Sequence, residues 1–371
     1  NGNIMFLNPS PFQKHDWIKL DSHWYKVVAN PYSIGEVTQE ETDTFEMNES
    51  QIENEYLIAK FNEKGSLTSL YNKVLDKEYI DYQNVDEDIT IYIEKSDMYP
   101  AWDFEEGYRD KNHYHPSITD ITLQTDGPEK SILFYYQYNN SIIIKKVFLL
   151  DDDLLRFEIT TDWKDINTTV KIHHPISISS DEVLCNIQFG NIKRPTHSND
   201  SIAKAKSEIS AHKFIDISDK QYGISMLSKC KYGFYVKEKA LELTVLRSQQ
   251  KNGSEIGIEE QEEYHENNFG DLVKHTFEYA LFAHDMNEYP TKVTQKAYNY
   301  NHDFITFIGR SNGEIPLKNL IEISEKNVVI ETIKPCDQGN GVVVRMYESA
   351  GMHTTFSIKT NIPFKKTYAT D

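Results

Sequence analysis

Six consecutive residues, Arg194-Pro195-Thr196-His197-Ser198-Asn199, gather a guanidinium, an imidazole, two hydroxyls and an amide. Such groups suit a polyhydroxylated ligand, because a site that hydrogen-bonds each hydroxyl rejects an analogue lacking one. Pro195 also stiffens the backbone there. The same residues make an ordinary polar loop that bonds its own backbone, and their spacing alone does not choose between the two. A second candidate is Met98-Tyr-Pro-Ala-Trp102-Asp103-Phe-Glu105. Trp102 offers an aromatic face for stacking on a ring, and Asp103 beside it offers a carboxylate for hydroxyl binding or acid–base work. The structural alternative is a packing tryptophan next to a hydrogen-bonded aspartate.

Other constellations fall short of chemistry. His113-Tyr-His115 puts two imidazoles on one strand face, but Pro116 follows and no third ligand is suitably spaced, so a polar loop is expected. His173 and His174 are adjacent, point to opposite faces of a strand and cannot chelate together. Asp151-Asp-Asp153 lacks the alternating oxygens and glycine of a calcium loop and reads as a solvated turn. Gly223-Ile-Ser225-Met-Leu227 begins like a nucleophile elbow but has no closing glycine and no helix pattern after it. Glycoside hydrolysis with retention needs two carboxylates about 5–5.5 Å apart. The chain has 58 acidic residues, so abundance singles out no pair.

The elements that must carry these residues are strands. Aromatic residues make up 12% of the 371, with 23 Tyr and 18 Phe, a composition suited to half-buried pleated surfaces. Strands are expected at 4–8, 17–20, 52–61, 66–71, 90–94, 131–138, 141–150, 154–161, 224–227, 241–246, 275–283, 328–334, 342–347 and 354–359. Asn62-Glu-Lys-Gly65 reads as a hairpin turn, Asn139-Asn140 and Asp151–Asp153 as further turns, and Asn340-Gly341 as a type I′ turn. Helix is tolerated only at 202–210 and 317–324. The acidic stretch 255–268 reads as a surface loop. The architecture is therefore all-β, in three segments: a small element at 1–48, a large central β-sandwich at 49–288 and a C-terminal element at 289–371.

Charge and cysteines bound the partners. A formal net charge of −19 repels phosphate backbones and anionic lipid, leaving neutral ligands unaffected. No run approaches the ~18 apolar residues of a membrane helix, and no signal-peptide core opens the chain. Cys185, Cys230 and Cys336 lie far apart without metal spacing, which favours a reducing, cytoplasmic compartment. The direct entry from Asn1 into a strand is what a piece of a longer protein would show.

A series of segments in order carries a resemblance. They are Phe6-Leu-Asn-Pro9, Phe61-Asn-Glu-Lys-Gly-Ser-Leu-Thr-Ser-Leu-Tyr71, Tyr99-Pro-Ala-Trp-Asp103, the 194–199 loop and Ala211-His-Lys-Phe-Ile-Asp-Ile-Ser-Asp219. Gln221-Tyr-Gly-Ile-Ser-Met-Leu227, Lys229-Cys-Lys-Tyr-Gly233, Leu246-Arg-Ser248, His275-Thr-Phe-Glu-Tyr-Ala-Leu-Phe-Ala-His284 and Val344-Arg-Met-Tyr-Glu348 continue it. Together they resemble the C-terminal half of the glycoside hydrolase family 38 α-mannosidases. The resemblance implies a large mutarotase-like supersandwich flanked by smaller Ig-like β-sandwich elements. It also implies a retaining hydrolase whose zinc and nucleophile belong to an N-terminal barrel that this chain lacks. No catalytic residue and no metal is then expected here. The implied partners are an α-mannoside or mannose-containing oligosaccharide and the protein's own catalytic domain. Arg194, His197 and Asn199 are the implied substrate-binding loop, with Trp102 and Asp103 second. Ser-Asn-Asp after His197, and Phe214 where tryptophan is common, depart from the usual pattern. Linkage preference stays open, as does a mannosylglycerate-type relative; the remaining alternative is a stand-alone carbohydrate-binding module.

Overall fold

The computed structural model describes residues 3–38, 46–85, 87–94, 99–105, 107–206, 208–237, 239–250, 269–309 and 320–370. The stretch 255–268 and Met98 lie outside them. Strands dominate, and the chain divides into two compact units. One comprises 43–185 and 193–285; the other gathers 1–42, 186–192 and 286–371. The segments expected at 1–48 and 289–371 are thus parts of one unit. The reason is strand pairing: Asn3–Leu7 runs antiparallel to Ile305–Gly309, with Phe6 opposite Thr306.

The larger unit is a β-sandwich. Its nine-stranded sheet has the order Ser117–Asp126, Glu129–Tyr138, Ser141–Leu149, Leu154–Asp162, Lys274–Asp285, Tyr222–Ser228, Phe214–Ser218, Glu182–Ile187 and Gly190–Pro195. The six-stranded sheet runs His113–Tyr114, Ile89–Ile93, Thr168–Pro175, Ala240–Arg247, Gly233–Tyr235, Glu208–Ser210. A five-stranded meander spans Glu46–Asn48 to Lys77–Glu78. All three feed one core: Phe134, Val147, Phe157 and Tyr279 from the first, Ile91, Ile172 and Leu243 from the second, Leu57 and Leu70 from the third. Each such side chain contributes roughly 1.5–3 kcal/mol by leaving water.

Turn chemistry accounts for the connections. Asn62 accepts from the amides of Lys64 and Ser66 through its side chain, and Gly65 takes φ +76°, where a Cβ would lie 2.2 Å from the Tyr136 hydroxyl. Asn139 at φ 44° closes the Tyr138/Ser141 hairpin. Three expectations are corrected. The strand at 52–61 is two, Gln51–Glu53 and Leu57–Phe61, because the Asn54 side chain captures the Tyr56 and Leu57 amides and turns the chain. The hairpin of Val328–Pro335 and Val342–Glu348 closes through 336–341, with the positive φ at Gly339 and not at Asn340 or Gly341. The strand at 354–359 is reduced to Ile358–Thr360.

The smaller unit holds a three-stranded sheet, Lys14–Leu20, His23–Ala29 and Glu36–Thr38, and three two-stranded ones. It also holds an unexpected helix, Thr291–Asn301. Tyr298 of that helix packs with Phe12 and Val329, and Lys14 Nζ donates to the Asn299 and His302 carbonyls at 2.9 and 2.8 Å. Helix at 202–210 is confined to Ser201–Ala205; of 317–324, Ile321–Ile323 is strand and 317–319 lie outside the described residues. No described helix is long and apolar enough to cross a membrane.

One charge pair is sealed inside the sandwich. Lys145 Nζ donates to the Gly65 carbonyl and to Asp88 Oδ2, both at 2.6 Å, and neither side chain reaches solvent appreciably. Burial raises the Asp88 carboxyl and lowers the Lys145 amine, while the contact opposes both shifts by holding opposite charges together. Lys145→Ala is expected to destabilise the unit by about 3–5 kcal/mol, because it strands a buried carboxylate. The double change Lys145→Met with Asp88→Leu should recover most of that loss; urea unfolding of the three proteins measures both.

Candidate functional site

The 194–199 segment leaves the sheet edge at Pro195, where a proline ends the ladder. Its backbone is tied down before its side chains do anything. The Thr196 amide donates to the Asp181 carbonyl at 3.0 Å, and Lys237 Nζ donates to the Pro195 and His197 carbonyls at 3.0 and 2.6 Å. The Asp200 side chain then caps the short helix Ser201–Ala205 through the Ala203 amide at 2.9 Å. Arg194 turns to the neighbouring strand and donates to the Ser210 carbonyl at 3.2 Å. Asn199 uses its amide on His197 Nδ1 at 3.4 Å. The depression beside this loop, about 490 Å³, is lined by Ser180, Asp181, Glu182, Lys193, Pro195 and His197. Of the three loop candidates, His197 therefore lines it. Lys237, which fixes the loop, had no sequence signal beyond its type.

Trp102 and Asp103 sit elsewhere, beside the strands Ile89–Ile93 and Ala240–Arg247. Trp102 is 79% exposed and stacks on Tyr99 with ring centroids 5.6 Å apart and planes within 12°. The Asp103 side chain is exposed as well, while its carbonyl accepts from Arg247 Nη2 at 2.9 Å. The packing tryptophan considered as the alternative is not what the fold contains. The two motifs are anchored to different strands: 194–199 on Ser180, Asp181 and Ser210, 99–103 on Arg247.

A polar cluster that the sequence reading missed lies on the six-stranded sheet. Along Thr168–Pro175, Val170 and Ile172 enter the core, so Lys171 and His173 take the opposite face. There Arg109, from the 3-10 turn Tyr108–Asp110, donates to Glu242 Oε2 at 2.6 Å and to Glu208 Oε1 at 3.2 Å, and lies 3.5 Å over the Tyr235 ring. Lys171 Nζ donates to Glu208 Oε2 at 2.7 Å, and His173 Nδ1 pairs with Glu242 Oε1 at 3.0 Å. Burial pushes the Glu242 carboxyl up, but the His173 bond and the Arg109 charge bring it down to about 2. Burial pulls the Lys171 amine down against the pull of Glu208. The signal was present: polar residues at every second position of otherwise apolar strands.

The histidines and the serine motif are absorbed by the fold. His174 points into the core and bonds the Tyr279 hydroxyl at 2.9 Å, so the adjacent pair does take opposite faces. Ser225 and His284 both bond Asp216 Oδ1, at 2.6 and 2.8 Å, in a fully buried group that leaves the serine no base of its own. Gly223 is small because His284 fills its Cβ position: an added Cβ would lie 2.4 Å from Cε1. The His113 and His115 rings meet edge to face at 5.7 Å, and His115 Nδ1 bonds the Ile89 carbonyl. Among the described residues no group of three or more His, Cys, Asp or Glu is placed to hold a metal. The donors present therefore do not fit zinc, and no chemical step is drawn through a metal in this chain.

Comparison with known proteins follows the same lines. Residues 52–254 match the glycosyl hydrolases family 38 C-terminal domain, and residues 327–371 match the family 38 C-terminal beta sandwich domain. Alpha-mannosidase 2C1 of Mus musculus is 25% identical over 96% of the chain and 34% of its own length. Its Homo sapiens counterpart is 24% identical over 98% of the chain and 35% of its own length. The chain thus spans about a third of the length of these curated relatives. A solved alpha-mannosidase from Enterococcus faecalis V583 shares the fold, with a TM-score of 0.68 at 13% identity, over 97% of this chain and 47% of that one.

Glu242 supplies a pH test of the cluster. Its folded carboxyl lies near 2 and its unfolded one near 4.5, so the ionised form stabilises the fold above about pH 4.5, and that share is lost as pH falls towards 2. Glu242→Gln is expected to cost roughly 3 kcal/mol at pH 7 and progressively less from pH 5 to pH 3, read from urea midpoints. A cost independent of pH would contradict the assigned network.

Proposed function

Because the chain belongs to glycosyl hydrolase family 38 and corresponds to its C-terminal region, we propose that it is the non-catalytic β half of a retaining α-mannosidase. In this reading it packs on a zinc-bearing N-terminal catalytic domain and lines part of the cleft that receives an α-mannoside or mannose-containing oligosaccharide. The observation that carries the proposal is the ordered match of two C-terminal family domains in a chain spanning a third of its relatives. The geometry supports it. The buried carboxylates Asp88, Glu94, Asp216 and Glu242 are each held by an internal cation or imidazole, and none is left to take and return a proton.

Within that role, the 194–199 loop contacts substrate. Lys237 presents the loop rigidly, and His197 faces the depression where a sugar hydroxyl would be recognised. Arg194 and Asn199 complete the loop, with Trp102 and Asp103 as the second contact. The net charge of −19 supports a neutral ligand over nucleic acid or an anionic membrane. Unpaired Cys185, Cys230 and Cys336 support a reducing, cytoplasmic setting.

The test uses the chain joined to the polypeptide that precedes it. His197→Ala is expected to lower kcat/KM on an aryl α-mannoside about tenfold or more, as the loss of one hydroxyl contact predicts. Full retention of kcat/KM in both His197→Ala and Arg194→Ala removes the loop from the cleft.

A further inference from the structure

An indole that is 79% exposed adds nothing to a core, yet the segment bearing Trp102 is fastened with unusual thoroughness. Glu94, which is fully buried, receives Arg247 Nη2 at 2.6 Å and Nε at 3.2 Å. The same Glu94 accepts the Glu105 amide at 3.1 Å and the Thr169 hydroxyl. Arg247 Nη2 reaches on to the carbonyls of Asp103 at 2.9 Å and Pro100 at 3.4 Å, and its guanidinium lies 3.9 Å over the Phe104 ring. One ion pair therefore grips 100–105 through both backbone donors and acceptors. Tyr99 backs one face of the indole and leaves the other to solvent.

We infer that Arg247 and Glu94 position Tyr99 and Trp102 as a preformed stacking platform for a neutral pyranoside. The open indole face takes the C–H face of the sugar, and the exposed Asp103 carboxylate accepts a hydroxyl at its edge. Holding the backbone in advance leaves little ordering to be done on binding, which is where a weak stacking contact otherwise loses its affinity. The charge of the chain selects uncharged sugars over acidic glycans. Arg247 touches no ligand; it acts through the Pro100 and Asp103 carbonyls. The platform rests on the reading that this chain meets saccharide, and it deepens that reading by adding the residues that set the contact.

Fluorine NMR of the 371-residue chain labelled with 5-fluorotryptophan tests it. Four resonances are expected, from Trp17, Trp24, Trp102 and Trp163, with Trp102→Phe identifying its own. Titration with mannotriose should shift the Trp102 resonance and leave that of the buried Trp163 still. Arg247→Lys keeps a cation opposite Glu94 but loses the planar fork. It should broaden the Trp102 line and weaken binding roughly three- to tenfold, the cost of immobilising one or two groups, with Trp163 unchanged. A Trp102 line unmoved by saccharide overturns the platform, whatever happens at His197 in the joined enzyme. Unaltered affinity in Arg247→Lys overturns the positioning role even if binding is seen. Loss of binding together with a moved Trp163 line marks a fold defect and sends the test to Trp102→Ala, whose full retention of binding would also refute the platform.

Discussion

A charge taken out of water inside a sheet sandwich persists only with its partner already in place, and the larger unit repeats this arrangement four times. Lys145 with Asp88, Arg109 with Glu242, Arg247 with Glu94 and His284 with Asp216 are each close-contact pairs in which at least one member is essentially buried. Removing one member of such a pair costs several kcal/mol, because the other is left without either water or counter-charge. The pairs therefore dictate more than stability. Arg109 and Arg247 pin the segment from 100 to 110 onto the polar face of the six-stranded sheet, and that face exists because Val170 and Ile172 alternate with Lys171 and His173.

The same pairs decide what chemistry is open to the chain. A glycosidase needs a carboxylic acid free to protonate a leaving group and a second carboxylate free to attack or to activate water. Carboxylates committed to buried cations serve neither purpose, since protonating them breaks the fold's own contacts. What remains on the surface is suited to recognition: a backbone-anchored loop with His197 over a depression, and a stacked Tyr99 and Trp102 beside an exposed Asp103. A β region that binds and shapes, joined to a neighbour that cleaves, is consistent with both features.

Much of this was legible in the sequence, and the omissions have physical causes. Strands of alternating or continuous apolar character, such as 141–150 and 275–283, were read nearly to their ends. So was the Asn62–Gly65 turn, because Asn and Gly do specific work on the backbone there. Ser117–Asp126 escaped notice because it lies at a sheet edge, with mostly polar, exposed side chains. The helix Thr291–Asn301 escaped because its buried face is built from Thr, Ala and Tyr, which carry no apolar stripe. The ion pairs could not be read at all: Arg109 and Glu242 are 133 residues apart, and only the sheet order brings them together. His173 and His174 show the reverse case, where adjacency and strand geometry alone were enough.

The central claim is that these sheets recognise sugar and support cleavage without performing it. Prolonged incubation of the purified 371-residue chain with an aryl α-mannoside, with and without added zinc, measures that most directly. The account predicts no release of the aryl group above the buffer blank in either case. Turnover by the chain alone, carried by any residue within it, would contradict it.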